Sequence, residues 1–255
     1  MNTPIRNWRH QRVWLLGASS GIGEALARAL VAQGAQVALS ARRAERLDAL
    51  AQELPNTLSL PCDAADPQSL ALAAEKVLAT WGGVDLAVYL AGDYQPMRAW
   101  DYDHSVAERL LAVNLLGAMA FAAALTPILL RQGRGQIAFV SSVAGYRGLP
   151  KALAYGPSKA ALSNFAEALY LDLAPRGLGV RLINPGFVAT PLTAKNDFAM
   201  PALISPEQAA EEILRGLAGS GFEIHFPKRF TRWLKLLRLL PYRLYFPLVR
   251  RFTGA

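Results

Sequence analysis

The sequence predicts an α/β fold organised around a parallel sheet. Short apolar runs alternate with longer helix-like segments along most of the chain, the pattern of repeated βαβ units. The first apolar run opens directly into a glycine-rich turn. At 255 residues, 53% hydrophobic and 18% charged, the chain is long enough for one large domain and too apolar for disorder. Right-handed crossovers are expected between the strands.

The elements follow in order. Arg12 to Ala18 reads as a buried strand, and Gly21 to Gln33 as a helix closed by Gly34. Gln36 to Ala41 is a second strand, Ala44 to Leu54 a helix stopped by Pro55, and Thr57 to Cys62 a third strand. Asp66 caps a helix that has Pro67 at its first position and runs to about Trp81. Val84 to Leu90 is a fourth strand, Ser105 to Arg131 one long helix, and Gly135 to Ser141 a fifth strand. Tyr155 to Arg176 is a helix and Gly179 to Asn184 a sixth strand. Ser205 caps a helix over Pro206 to Ala218, and Phe222 to Phe226 is a seventh strand. No internal repeat or linker divides residues 1–227; residues 228–255 read as a separate basic tail.

The formal net charge of +8 sits at one end of the chain. Eight of 27 basic residues lie from Lys228 onward (Lys228, Arg229, Arg232, Lys235, Arg238, Arg243, Arg250, Arg251), with no acidic residue among them. The body is left with 19 of each sign, which argues against a general nucleic-acid surface. Cys62 is the only cysteine, so an internal disulfide is excluded and a reducing, cytoplasmic setting is expected. His10, His104 and His225 are scattered, and no metal site is expected. Met1 to Arg12 lacks the apolar core of a signal peptide, and no uninterrupted apolar run looks long enough to span a bilayer.

The chemistry starts at the first strand. Gly17-Ala18-Ser19-Ser20-Gly21-Ile22-Gly23 joins it to the first helix. Glycines there allow a tight turn and close approach of backbone to a pyrophosphate, and the helix N-terminus supplies oriented N–H groups. An NAD site usually ends the second strand with a carboxylate for the ribose 2′-hydroxyl. Here the strand ends Ser40-Ala41-Arg42-Arg43. Two guanidinium groups suit a 2′-phosphate, hence NADP(H); the alternative is that both arginines flank a helix start in solvent. Asp63, after the third strand, is placed either for an adenine amino group or to start a loop. Tyr155 and Lys159 lie four apart on one helix face, and an ammonium close to a phenol lowers its pKa from about 10 toward the working pH. The alternative is a solvated helix face.

Taken together these residues resemble the short-chain dehydrogenase/reductase family over about residues 10 to 227. The match comprises the glycine loop, Asp63, Ala91-Gly92, Asn114, Ser141-Ser142-Val143-Ala144-Gly145, Tyr155 and Lys159, Asn184-Pro185-Gly186 and Thr190. The resemblance implies a Rossmann-type, doubly wound seven-stranded sheet in the order 3-2-1-4-5-6-7 with helices on both faces. It implies a catalytic tetrad of Asn114, Ser142, Tyr155 and Lys159, with Ser142 preferred to Ser141 because it directly precedes Val143-Ala144-Gly145. Tyr155 would protonate the oxygen of a carbonyl, Ser142 would hold that oxygen, Lys159 would bind the nicotinamide ribose, and Asn114 would hold a water. Pro185, Gly186, Val188 and Thr190 would fix the nicotinamide carboxamide, and a homodimer or homotetramer is expected. Leu16 stands where the family usually has threonine, and Leu90 where it usually has asparagine. The other classes to weigh are a non-catalytic dinucleotide sensor and a membrane-recruited scaffold.

Beyond Pro227 the resemblance ends. Phe230, Trp233, Leu234, Leu237 and Leu240 recur at helical spacing, with Arg232, Lys235 and Arg238 expected opposite. Pro241 and Pro247 are expected to break the tail into short pieces. Such a segment either lies in an anionic lipid interface, making the protein peripherally membrane-associated, or packs on protein. Trp100, Phe187, Phe198 and Met200 line an apolar substrate pocket or belong to the core. These features lean toward a hydrophobic, lipid-like carbonyl substrate.

Overall fold

A computed structural model describes residues 1–253. Its strands are β1 (Arg12–Leu16), β2 (Gln36–Ser40), β3 (Thr57–Ser59), β4 (Leu86–Tyr89), β5 (Gln136–Val140), β6 (Gly179–Pro185) and β7 (Glu223–Phe226). They form one parallel sheet in the order β3-β2-β1-β4-β5-β6-β7. Every residue of β4, β5 and β6 is buried, because helices cover both faces of the sheet. Alternate residues of β1 show the two sides. Val13 and Leu15 point into one core with α1 (Gly21–Ala32), α2 (Ala44–Glu53) and α7 (Pro206–Leu217). Trp14 and Leu16 point into the other core with α3 (Pro67–Trp81), α5 (Gly117–Gln132) and α6 (Tyr155–Leu173).

Local chemistry sets the helix ends. The Asp66 carboxylate accepts from Gln68 N (2.9 Å) at the start of α3, and Gly82 ends it in the left-handed region (φ 70°). Ser205 and Gln208 cap α7 reciprocally. Six of the seven strands are one to three residues shorter than their apolar runs, since backbone continues into loops beyond the last ladder bond, and β6 runs one residue further, to Pro185.

The helix expected over Ser105 to Arg131 is composite. It comprises α4 (His104–Leu111), a π turn (Ala112–Leu116) that holds Asn114, and α5. Over its 29 residues it is apolar and long enough to cross a membrane by length and composition, which corrects the expectation of no such segment. Its apolar side is used in the core, where Leu110, Phe121, Leu125 and Leu129 are buried.

The N-terminal segment is docked. Asn2 Nδ2 donates to Val180 O (2.8 Å) and Val180 N to Asn2 Oδ1 (2.9 Å), with Ile5 and Trp8 buried. Arg181, fully buried in β6, donates to Gln136 Oε1 (3.0 Å) and to the carbonyls of Thr3, Gly219 and Gly221. Burial pushes its pKa down to about 10.

The tail forms α8 (Lys228–Leu239) and α9 (Tyr242–Thr253); residues 254 and 255 lie outside the described residues. Pro241 separates the two helices, but α9 runs through Pro247, contrary to expectation. The expected division of faces also changes. Phe230, Leu234 and Leu237 are partly buried, whereas Trp233 is 60% exposed. Lys235 turns inward to Glu223 on β7, a carboxylate whose placement beside the helix depends on the fold.

Candidate active site

Strand order reverses at β1, so the loops after β1 and β4 part and open a cleft at the carboxyl edge of the sheet. The glycine loop lies there. A Cβ on Gly17 (φ +106°) would sit 2.6 Å from Ala91 N, and one on Gly23 would sit 2.1 Å from Gly17 O. Leu16 and Leu90 supply no polar side chain, and the backbone holds the loop instead. Leu90 N donates to Leu16 O (2.7 Å), and Gly17 N and Ala18 N both donate to Ser40 O. Ser20 makes no side-chain cap on α1, so first-turn N–H groups remain free for an anion. Ile22 packs on the core beneath them.

Arg43 lies across this loop. Its Nη2 donates to Ser19 Oγ (2.9 Å) and Ser20 Oγ (3.1 Å), while Arg42 is exposed. Among the described residues neither arginine meets a carboxylate. Asp63 Oδ1 accepts from Ala65 N (2.9 Å), a loop-starting role that leaves Oδ2 without a partner among the described residues. Thr190 reaches the loop from beyond β6: its Cγ2 lies 3.0 Å from where a Gly21 Cβ would sit. Gly186 N donates to Phe226 O (2.7 Å), which fixes Pro185-Gly186, and Val188 is buried against Ile204. Uncapped N–H groups, a backbone with no room for side chains and two unpaired guanidinium groups together fit a dinucleotide.

The four tetrad residues converge at the foot of the cleft. Tyr155 opens α6, and Lys159 follows one turn later. A Cβ on Gly92 would lie 3.5 Å from Asn114 Oδ1 and 3.6 Å from Lys159 Nζ, which places Ala91-Gly92 against both. Asn114 Nδ2 donates to Asp93 O (2.9 Å) and Ser158 Oγ (3.0 Å), and its Oδ1 accepts from Asp93 N (2.8 Å). The two serines after β5 diverge. Ser141 Oγ donates to Lys159 O (2.8 Å) and is buried, whereas the Ser142 hydroxyl acts on Tyr155, favouring its phenolate.

One electrostatic expectation is not met. Burial raises the Tyr155 pKa to about 12, against the opposing Ser142 hydrogen bond. Lys159 Nζ donates to Val140 O (2.9 Å) and lies 5.8 Å from the Tyr155 ring centroid, and burial lowers its own pKa to about 8. Desolvation therefore sets the direction at both groups. At neutral pH Tyr155 keeps its proton and Lys159 is mostly charged.

Sequence reasoning missed Tyr94. Its ring meets Tyr155 edge-on at 4.9 Å between centroids, and its hydroxyl donates to Asn196 Oδ1 (2.8 Å). Lys195 Nζ donates to Tyr94 O (2.7 Å), so the loop after β6 is latched onto the loop after β4. These partners are about a hundred residues apart, and no local spacing announces them. None of the four proposed pocket residues joins the core. Trp100 is 77% and Phe198 40% exposed, with Phe187 and Met200 partly buried.

Comparisons with known proteins establish the family and the fold. Residues 11–200 match the short chain dehydrogenase family model. An uncharacterized oxidoreductase of Myxococcus xanthus is 36% identical over 244 residues, covering 92% of this chain and 94% of the relative. A short-chain dehydrogenase structure from Streptomyces avermitilis superimposes with a TM-score of 0.81 at 26% identity, covering 95% and 97% of the two chains. A Burkholderia phymatum short-chain dehydrogenase/reductase in complex with NAD gives a TM-score of 0.83 at 21% identity, covering 91% and 94%; that likeness bears on the fold alone. The chain belongs to the short-chain dehydrogenase/reductase family and is an NAD(P)-dependent oxidoreductase.

Proposed function

We propose that this enzyme transfers hydride between NADP(H) and a carbonyl or secondary alcohol, working as a reductase of a hydrophobic ketone or aldehyde. The observation that carries the reading is the meeting of a protonated Tyr155, the Ser142 hydroxyl and the Lys159 ammonium at the foot of the cleft. The nicotinamide, when bound, supplies the hydride. Ser142 holds the substrate oxygen, and Tyr155 gives it a proton as negative charge develops there. Donors already in place need no reorganisation at that moment. The Asn114 side chain is engaged with Asp93 and Ser158, so a water toward Lys159 falls to its main-chain carbonyl or the remaining Oδ1 lone pair.

Cofactor choice rests on Arg42 and Arg43, which lack acidic partners among the described residues. A hydrophobic substrate is supported by Phe187, Phe198 and Trp100 around the loops. Exposed Leu111, Leu116 and Met119 support self-association through α4 and α5. The test is NADPH consumption against a panel of carbonyl compounds of increasing apolar size. Arg42→Ala with Arg43→Ala is expected to weaken NADPH binding by about 10- to 100-fold, from the loss of charge-assisted hydrogen bonds, with little change for NADH. Equal losses for the two cofactors in a binding titration would end the NADP(H) assignment.

A further inference from the structure

Outside the cleft, the largest concentration of exposed apolar and cationic side chains is on the tail. On α8, Trp233, Leu236 and Leu239 are 60%, 62% and 80% exposed, and Arg229 and Arg232 share their outward side. On α9, Leu244 and Phe246 are each 54% exposed beside Arg243, Arg250 and Arg251. Among the described residues only Lys235 of the tail's eight cations pairs with a carboxylate, Glu223.

The tail is nonetheless fixed to the body. Thr231, Tyr245 and Val249 are buried. Arg147, in the loop after β5, donates through Nη1 to the carbonyls of Leu237 (3.1 Å), Arg238 (3.2 Å) and Leu240 (2.6 Å) at the end of α8. Its guanidinium also lies 4.6 Å and 3.9 Å from the ring centroids of Tyr242 and Tyr245. Phe230 at the root of α8 meets Phe187 at 5.7 Å, and Phe187 meets Phe198 at 5.9 Å between ring centroids. An aromatic path therefore runs from the tail to the loop latched over Tyr155.

We propose that the outward side of α8 and α9 docks on an anionic lipid bilayer, setting the cleft mouth at the membrane so that a carbonyl compound dissolved there enters from the lipid. A bilayer surface offers acyl chains to Trp233, Leu236 and Leu239 and head-group anions to the arginines at once. A nucleic acid would leave the leucines without a partner. A second copy of the tail would set one acid-free cationic surface against another. The docking stands on the tail alone; the entry route rests on the reductase reading above.

The experiment uses the full chain and co-sedimentation with vesicles of phosphatidylcholine alone or with one third phosphatidylglycerol. Binding is expected only to the anionic vesicles and is expected to weaken with salt. Trp233→Glu with Leu236→Glu, both exposed and so compatible with folding, should abolish it. Arg243→Gln, Arg250→Gln and Arg251→Gln together should lower the partition by about 100-fold, from roughly fivefold per guanidinium. Dinucleotide binding should be unchanged in both variants. The docking is overturned if wild type stays in the supernatant, if neutral and anionic vesicles bind it alike, or if the Trp233 variant keeps full vesicle binding. It is also overturned if that variant's only change is dissociation of an oligomer, or if duplex DNA binds more tightly than the vesicles. Turnover of a water-soluble carbonyl compound, measured without vesicles, is the separate check on the reductase. Its failure would remove the entry route and leave docking intact.

Discussion

Arg181 in β6 and Arg232 in α8 carry the same guanidinium into opposite surroundings. Arg181 is fully buried, and every hydrogen bond it makes holds a backbone carbonyl or Gln136 in place. Arg232 is exposed and meets no carboxylate among the described residues. Arg12 belongs with Arg181: it forks onto Asp85 at 2.8 and 2.9 Å and holds that carboxylate below its usual pKa range. Both Arg181 and Arg12 direct their donors at groups inside the fold. In the tail, the fold makes little use of the charge, so its effect depends on something outside the chain.

The largest effect that sharpens this contrast is at the site. Tyr155→Phe should lower turnover by about 10²–10⁴-fold while dinucleotide affinity stays near wild type, because in the proposed reaction the hydroxyl acts on the substrate oxygen. A variant retaining more than about a tenth of the rate would show that the proton comes from elsewhere. Next is Arg181→Ala, which removes the guanidinium donor from the carbonyls of Gly219 and Gly221 and one of two donors from Thr3 O, which keeps Gln136 Nε2. A loss of about 3 kcal/mol is expected from chemical denaturation, since abandoned buried acceptors each cost about 1–3 kcal/mol. A loss below about 1 kcal/mol would put Arg181 in the same class as the tail arginines and break the comparison.

The third effect is pH-dependent. Lys159 in the folded chain titrates near 8, below its ordinary value, through burial. Above that pH the folded state has released a proton that the unfolded chain still holds, so raising pH favours folding until the unfolded lysine also titrates. Lys159→Met should flatten the rise in denaturation midpoint above about pH 8 relative to wild type. An unchanged profile would mean that this ammonium is solvated. The smallest effect is Arg243→Gln with Arg250→Gln, for which stability should stay within about 0.5 kcal/mol, as for surface positions without partners. A larger loss by thermal unfolding would give those arginines a role inside the fold.

The sheet and the cofactor loop were legible because their signals are local. Strand runs, the spacing of Gly17, Gly21 and Gly23, and the Tyr155–Lys159 turn can all be read over a few residues. What stayed hidden depends on neighbours that only folding supplies. The π turn at Asn114 lies in a continuous apolar stretch, where one residue more per turn leaves no mark on composition. Arg181 is one charge within the sixth strand, and the carbonyls that receive it, Thr3 and Gly221, reach it only in the fold. Lys235 was assigned to the polar side of its helix because Glu223 belongs to a different element. The Tyr155 pKa follows the same logic: spacing shows the nearby lysine, but not the burial that raises the phenol.

The grip of Arg147 on Leu240 spans 93 residues. During synthesis the loop that follows Ser142 leaves the ribosome well before the carbonyls that immobilise it exist. The nascent chain can build β1 to β5 and their helices, yet Arg147 has no carbonyls to grip until α8 and its turn into α9 have emerged. The loop that carries Arg147 is therefore fastened late in translation, and a chain stalled before α8 would present the dinucleotide fold with that loop unanchored.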